Sequence, residues 1–156
     1  MTDEFYMRRA IELAKKGRGW TNPNPMVGAV IVKNGSIIGE GYHEKCGELH
    51  AERNAIASLT ESAEGATLYV PLEPCCHYGK TPPCTEAILE QKIARVVIGS
   101  RDPNPTVSGK GAKILREEGV RVEEDFRREE CDAVNAVFLH YITTGLPDVG
   151  VEYDIT

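Results

Sequence analysis

The sequence predicts an α/β fold: one five-stranded mixed sheet with helices on both faces. Three observations carry this. The Asn34-Gly35 pair is a hairpin signal between two strand-type runs, which must therefore pair antiparallel. After it, strand-type and helix-type segments alternate, as in β-α-β units with parallel strands. The resulting order, α-β-β-α-β-α-β-α-β-α, is that of a single sheet sandwiched between helices, a three-layer α/β/α arrangement.

Each element has its own signal. Asp3 to Lys16 has apolar residues at helical spacing (Phe5, Ala10, Leu13, Ala14), a capping residue in Thr2 or Asp3, and Gly17 as a stop. "GWTNPNP" reads as a proline-stiffened loop. "MVGAVIV" is an almost wholly apolar strand, and "IIGEGY" returns as its partner. His50 to Ser62 reads as a helix, "ATLYVPL" as a strand, and Cys84 to Lys92 as a helix begun by Pro82-Pro83. "ARVVIG" is a buried strand, Lys110 to Glu118 a helix closed by Gly119, "VRVEE" the last strand, and Arg127 to Thr143 the closing helix. Residues 1–147 are expected to form the folded domain, with 148–156 as a tail that does not resemble the start of a further domain. There is no internal repeat.

Composition narrows the function classes. The chain has 156 residues, enough for one domain with a real core. An apolar fraction of 41% and a charged fraction of 27% are those of a soluble globular protein. No apolar run is long enough to span a bilayer, and the N-terminus is not a secretory signal. A cytoplasmic location is expected. There the five cysteines read as metal ligands, reactive thiols or core residues rather than a disulfide frame. Eighteen basic against 24 acidic residues give a net charge of −6, a poor basis for gripping a phosphate backbone. A small-molecule partner is favoured over nucleic acid or membrane.

Two motifs carry chemistry. One is His50-Ala51-Glu52. The other is Pro74-Cys75, with Cys84 further on. Together they match the pattern H-x-E followed by P-C…C of zinc nucleobase deaminases. Zinc takes nitrogen and sulfur donors in a tetrahedron, and a catalytic site leaves one position to water. His50, Cys75 and Cys84 would be the three protein ligands and Glu52 the proton carrier. Residues two apart on a regular helix point about 200° apart. His50 and Glu52 can therefore share a site only at a helix tip. A purely structural zinc site remains the alternative, with Cys76, His77 or Cys46 as the fourth ligand.

Eight residues separate Cys75 from Cys84, where two are usual. A loop that starts and ends at the metal must overhang it, and this one carries His77, Tyr78 and Lys80. A lysine there suits a substrate phosphate. Asn24, in its proline-stiffened loop, offers donor and acceptor together to a pyrimidine edge. Asp102 and Asn104 follow a strand end, where ligands gather in α/β sheets. Each of these three is also an ordinary turn residue.

The segments "TNPNPMVGAVIVKNGSIIGEGYH", "HAE", "LEPCCHYGKTPPC" and "RDPNP" resemble the deaminase family of riboflavin biosynthesis, a branch of the cytidine deaminase-like fold. The resemblance runs from about Tyr6 to Pro147. It implies zinc held by His50, Cys75 and Cys84, with Glu52 as proton shuttle. It implies substrate contacts from Asn24, His43, His77, Lys80, Asp102 and Asn104. The substrate implied is a diaminopyrimidinone carrying a phosphoribosylamino group, deaminated by water. It further implies a homo-oligomer. Many members continue into a reductase domain; this sequence stops shortly after "YITTGLP", so either reduction would need a separate reductase, or the sequence is a piece of a longer chain, or it is a stand-alone deaminase. The chain departs from the family at Cys76, where serine is usual. The rival readings are a deaminase of another base or nucleoside, and a non-catalytic zinc module of deaminase ancestry. Cys131, Phe138 and Tyr141 read as packing on the last helix, His140 as a partly buried histidine, Cys46 as a free thiol, and Trp20 as a pocket wall or loop anchor.

Overall fold

The computed structural model describes residues 2–17, 26–44, 50–74, 84–101 and 108–134. Within them the chain forms ten elements in the expected order: α1 (Asp3–Lys15), β1 (Gly28–Lys33), β2 (Ser36–Tyr42), α2 (Ala51–Ala57), β3 (Thr67–Leu72), α3 (Cys84–Glu90), β4 (Arg95–Ser100), α4 (Lys110–Glu117), β5 (Arg121–Glu123) and α5 (Arg128–Val134). The five strands make one sheet in the order β2-β1-β3-β4-β5. β1 pairs antiparallel with both β2 and β3, whereas β3, β4 and β5 run parallel. The sheet is mixed, as expected.

The alternation of side chains along the strands builds two cores. Ala29, Ile31, Leu68, Val70, Val96 and Ile98 face α2, α3 and α4. Val30, Val32, Tyr69 and Val97 face α1 and α5. Strands buried on both faces explain why "GAVIV" and "RVVIG" read as unbroken apolar runs rather than alternating ones. The hairpin between β1 and β2 turns through Asn34 and Gly35, both left-handed with φ of 52° and 75°. That pair of positive angles is what an Asn-Gly turn supplies with little strain.

The helix ends differ in part from the sequence reading. Thr2 is the cap of α1, its hydroxyl accepting from the Phe5 amide at 3.3 Å. Asp3 instead pairs with Arg95 on β4. α2 stops at Ala57 rather than Ser62. Tertiary bonds take over there: the Ser58 hydroxyl bridges to the backbone of Glu40, and the Thr60 amide donates to the Ile38 carbonyl. α3 ends at Glu90 rather than Lys92, because Lys92 adopts a left-handed φ of 56°. α5 starts one residue late for the same reason, Arg127 having a φ of 53°. Cys131 is buried packing, as expected, with Gly99 leaving the space its sulfur occupies.

Candidate metal and catalytic site

The carboxyl ends of the parallel strands and the amino ends of α2 and α3 meet on one side of the sheet. α2 reaches that position because β2 offers it two glycines. A Cβ at Gly41 would stand 2.4 Å from the Ala55 amide nitrogen, and one at Gly39 would stand 2.7 Å from the Ala55 carbonyl. Such distances leave no room for a side chain, so the helix lies directly on the strand. Asn54 locks the contact by donating from Nδ2 to the Tyr42 carbonyl at 2.8 Å.

His50 is the N-cap residue of α2, with extended backbone angles, φ −69° and ψ 163°. Its side chain makes no cap bond to the helix. Instead its Nδ1 stands 3.4 Å from Sγ of Cys84, the first residue of α3. Glu52 sits in the first turn of α2 and is 4% exposed. The helix-tip placement that the H-x-E spacing demands is therefore the observed one. Cys84 is 1% exposed.

The His50–Cys84 distance permits a fit test for a metal. Zinc–sulfur and zinc–nitrogen bonds of about 2.3 and 2.0 Å, at a tetrahedral angle, place the two donors roughly 3.5 Å apart. The observed 3.4 Å lies close to that value. One imidazole and one buried thiol, facing each other across 34 positions of sequence, are a borderline-soft donor pair that fits zinc. Among the described residues no group of three metal-ligating side chains lies together. The proposed third ligand, Cys75, falls outside the described residues, as do Asn24, His77, Lys80, Asp102 and Asn104. So do Cys46, Cys76, Trp20, Phe138, His140 and Tyr141.

His43 follows β2 and is 2% exposed. Its amide donates to the Val27 carbonyl at 3.0 Å. Its ring meets that of His50 edge to face, with centroids 5.3 Å apart and planes at 87°. It borders the proposed metal ligand directly.

One residue of this region escaped the sequence reading. Glu73, just past β3, is buried at 7% exposure. Its carboxylate accepts from the amides of Gly109 at 3.0 Å, Gly111 at 2.9 Å and Ala112 at 3.3 Å. These are the unsatisfied first-turn donors of α4, whose N-cap is a glycine without a side chain to offer. The available signal was negative: a helix opening "GKGAK", with no acidic first turn, must find its cap elsewhere.

Comparison with known proteins agrees with this architecture. The family described as the cytidine and deoxycytidylate deaminase zinc-binding region matches residues 1–100. The riboflavin biosynthesis protein RibD of Actinobacillus pleuropneumoniae is 60% identical over 156 residues, which is all of this chain and 42% of that protein. The diaminohydroxyphosphoribosylamino-pyrimidine deaminase of Buchnera aphidicola is 52% identical over 147 residues, 94% of this chain and 100% of that protein. Among solved structures, a diaminohydroxyphosphoribosylaminopyrimidine deaminase/reductase from Thermotoga maritima superposes with a TM-score of 0.89 at 54% identity, covering 93% of this chain and 41% of that one. The chain thus spans less than half of the Actinobacillus and Thermotoga proteins and the whole of the Buchnera protein.

Proposed function

Because this chain belongs to the cytidine and deoxycytidylate deaminase zinc-binding family, we propose that it deaminates the phosphoribosylamino diaminopyrimidinone of riboflavin biosynthesis with zinc and water. The observation that carries the reading is the pair His50–Cys84 at 3.4 Å with Glu52 buried in the adjoining helix turn. His50, Cys84 and Cys75 would hold the metal. Zinc, when bound, lowers the pKa of a coordinated water toward about 7 and so supplies a nucleophile at neutral pH.

The chain's own residues do the rest. Glu52 accepts the water proton as the oxygen adds to the ring carbon bearing the amino group. It passes that proton to the ring nitrogen, then takes the hydroxyl proton of the tetrahedral adduct and delivers it to the amino group. The carbon–nitrogen bond breaks and ammonia leaves, so one water is consumed per ammonia released. A carboxylate in a closed site suits this traffic, since transfer needs contact within hydrogen-bond reach and little competition from bulk water. Asn24 would read the pyrimidine edge, and His43, His77, Lys80, Asp102 and Asn104 would complete the substrate site, with Lys80 on the phosphate. Among the described residues no helix is long and apolar enough to cross a membrane. A homo-oligomer and a separate reductase partner belong to the same reading.

The test is ammonia release by zinc-loaded protein from the phosphorylated diaminopyrimidinone, its dephosphorylated form, cytosine and cytidine in parallel. Turnover of the phosphorylated compound alone is expected. Turnover of a plain base or nucleoside instead would keep the deaminase chemistry and discard the substrate.

A further inference from the structure

Glu73 is a long-range anchor rather than a local cap. Three points of the chain converge on it. It stands two residues before Cys75. Its backbone amide donates to the Ser100 carbonyl at 2.9 Å, at the end of β4 and two residues before Asp102. Its carboxylate binds the amides of Gly109, Gly111 and Ala112, just beyond the segment that holds Asp102 and Asn104.

A cap drawn from a neighbouring serine would meet one of these amides without burying a carboxylate. A cap drawn from across 36 to 39 positions does something a local one cannot: it fixes the helix relative to the strand. The contact is also sterically tight. A Cβ on Gly111 would lie 2.5 Å from the Pro74 carbonyl, so α4 rests on the residue that leads into Cys75.

We propose that Glu73 is a positioning residue for the metal site: by clamping α4 to the exit of β3 and β3 to the end of β4, it fixes the chain at Pro74, the residue before Cys75. The inference rests on the reading of Cys75 as a metal ligand, and it adds a residue that the H-x-E and P-C…C motifs do not contain.

The test measures zinc affinity of the full chain by competition with a chromophoric chelator, alongside the melting temperature, in Glu73→Gln, Gly111→Ala and Asp3→Asn. Glu73→Gln puts an amide donor where a backbone donor must be met. Gly111→Ala keeps the carboxylate and wedges the helix off Pro74. Asp3→Asn disturbs a partly exposed ion pair at the opposite end of the sheet. Both site variants are expected to bind zinc about 10-fold more weakly, in the range found when residues supporting metal ligands are changed. Asp3→Asn should melt lower with zinc affinity within about twofold of the parent. On the phosphorylated substrate, KM of Glu73→Gln should rise by a larger factor than kcat falls, whereas simple loss of folded protein lowers kcat alone. Unchanged zinc affinity in folded Glu73→Gln would overturn the proposal. So would equal weakening in Asp3→Asn. If Glu73→Gln does not fold, Gly111→Ala decides, and unchanged zinc affinity there overturns it as well. A wild-type chain that binds zinc but releases no ammonia would remove the proposed substrate and leave the affinity comparison standing.

Discussion

The two ends of the sheet are built on different chemistry. At the start of β4, Arg95 is shared between carboxylates. It meets Asp3 through two bonds of 3.0 and 2.7 Å, and Glu123 at 2.8 Å. The Tyr69 hydroxyl donates to Asp3 at 2.5 Å. Hard charges there meet in pairs, side chain to side chain, and tie α1 to the sheet. At the other end the groups are a buried thiol facing an imidazole, and two buried carboxylates on or beside helix first turns. The Glu73 carboxylate there is held by backbone amides. The first arrangement ties its charges to one another and leaves little to do chemistry. The second keeps soft donors and a proton carrier close together, at the carboxyl ends of parallel strands where α/β sheets bind ligands.

That contrast can be broken at several points. Cys84→Ser removes a thiolate from the proposed zinc set. It should abolish stoichiometric zinc by metal analysis and lower thermal stability, since metal binding is coupled to folding. Gly41→Ala forces a methyl group into the α2 backbone at 2.4 Å. It should cost about 1–3 kcal/mol, seen in urea unfolding, and weaken zinc binding with it because α2 carries His50. Asp3→Asn acts at the other end alone. A loss of roughly 1 kcal/mol is expected for a partly exposed pair, about 2–4 °C in melting temperature.

Acid titration sharpens the same contrast. The hydrogen bond from Arg95 holds the Asp3 carboxyl below its usual range, against a smaller opposing effect of burial. A depressed carboxyl stabilises the fold fully above the unfolded value near about 4, and that contribution fades as pH falls through the folded pKa. Asp3→Asn should therefore flatten the acid limb of stability below about pH 4 and leave the neutral-pH difference constant. The smallest effect concerns Cys131. Burial pushes its thiol up to about 12. It should not react with a thiol reagent at pH 8 in the folded chain and should react fully in denaturant. Reaction in the native state would place it outside the core.

Much of this was legible before the fold. The Asn34-Gly35 turn and the doubly apolar runs of β1 and β4 announced a mixed sheet, because a turn type and a burial pattern are local properties. The His50–Cys84 pairing was legible from the H-x-E and P-C…C motifs taken together, although the two lie 34 positions apart. What sequence patterns missed were bonds made across the chain. α2 ends early because Ser58 and Thr60 bond to β2. Asp3 reads as a cap but binds Arg95. Glu73 carried no sequence signal of its own, and only the fold shows it holding α4.

The most direct measurement is ammonia release from the phosphorylated diaminopyrimidinone by zinc-loaded wild type, Glu52→Gln and Asp3→Asn, each with its zinc content determined. Glu52→Gln should retain zinc and lose about 10²–10⁴-fold in rate, the usual worth of a positioned acid–base group, while Asp3→Asn runs at the wild-type rate. Near-normal turnover by Glu52→Gln would contradict the assignment of proton transfer to Glu52.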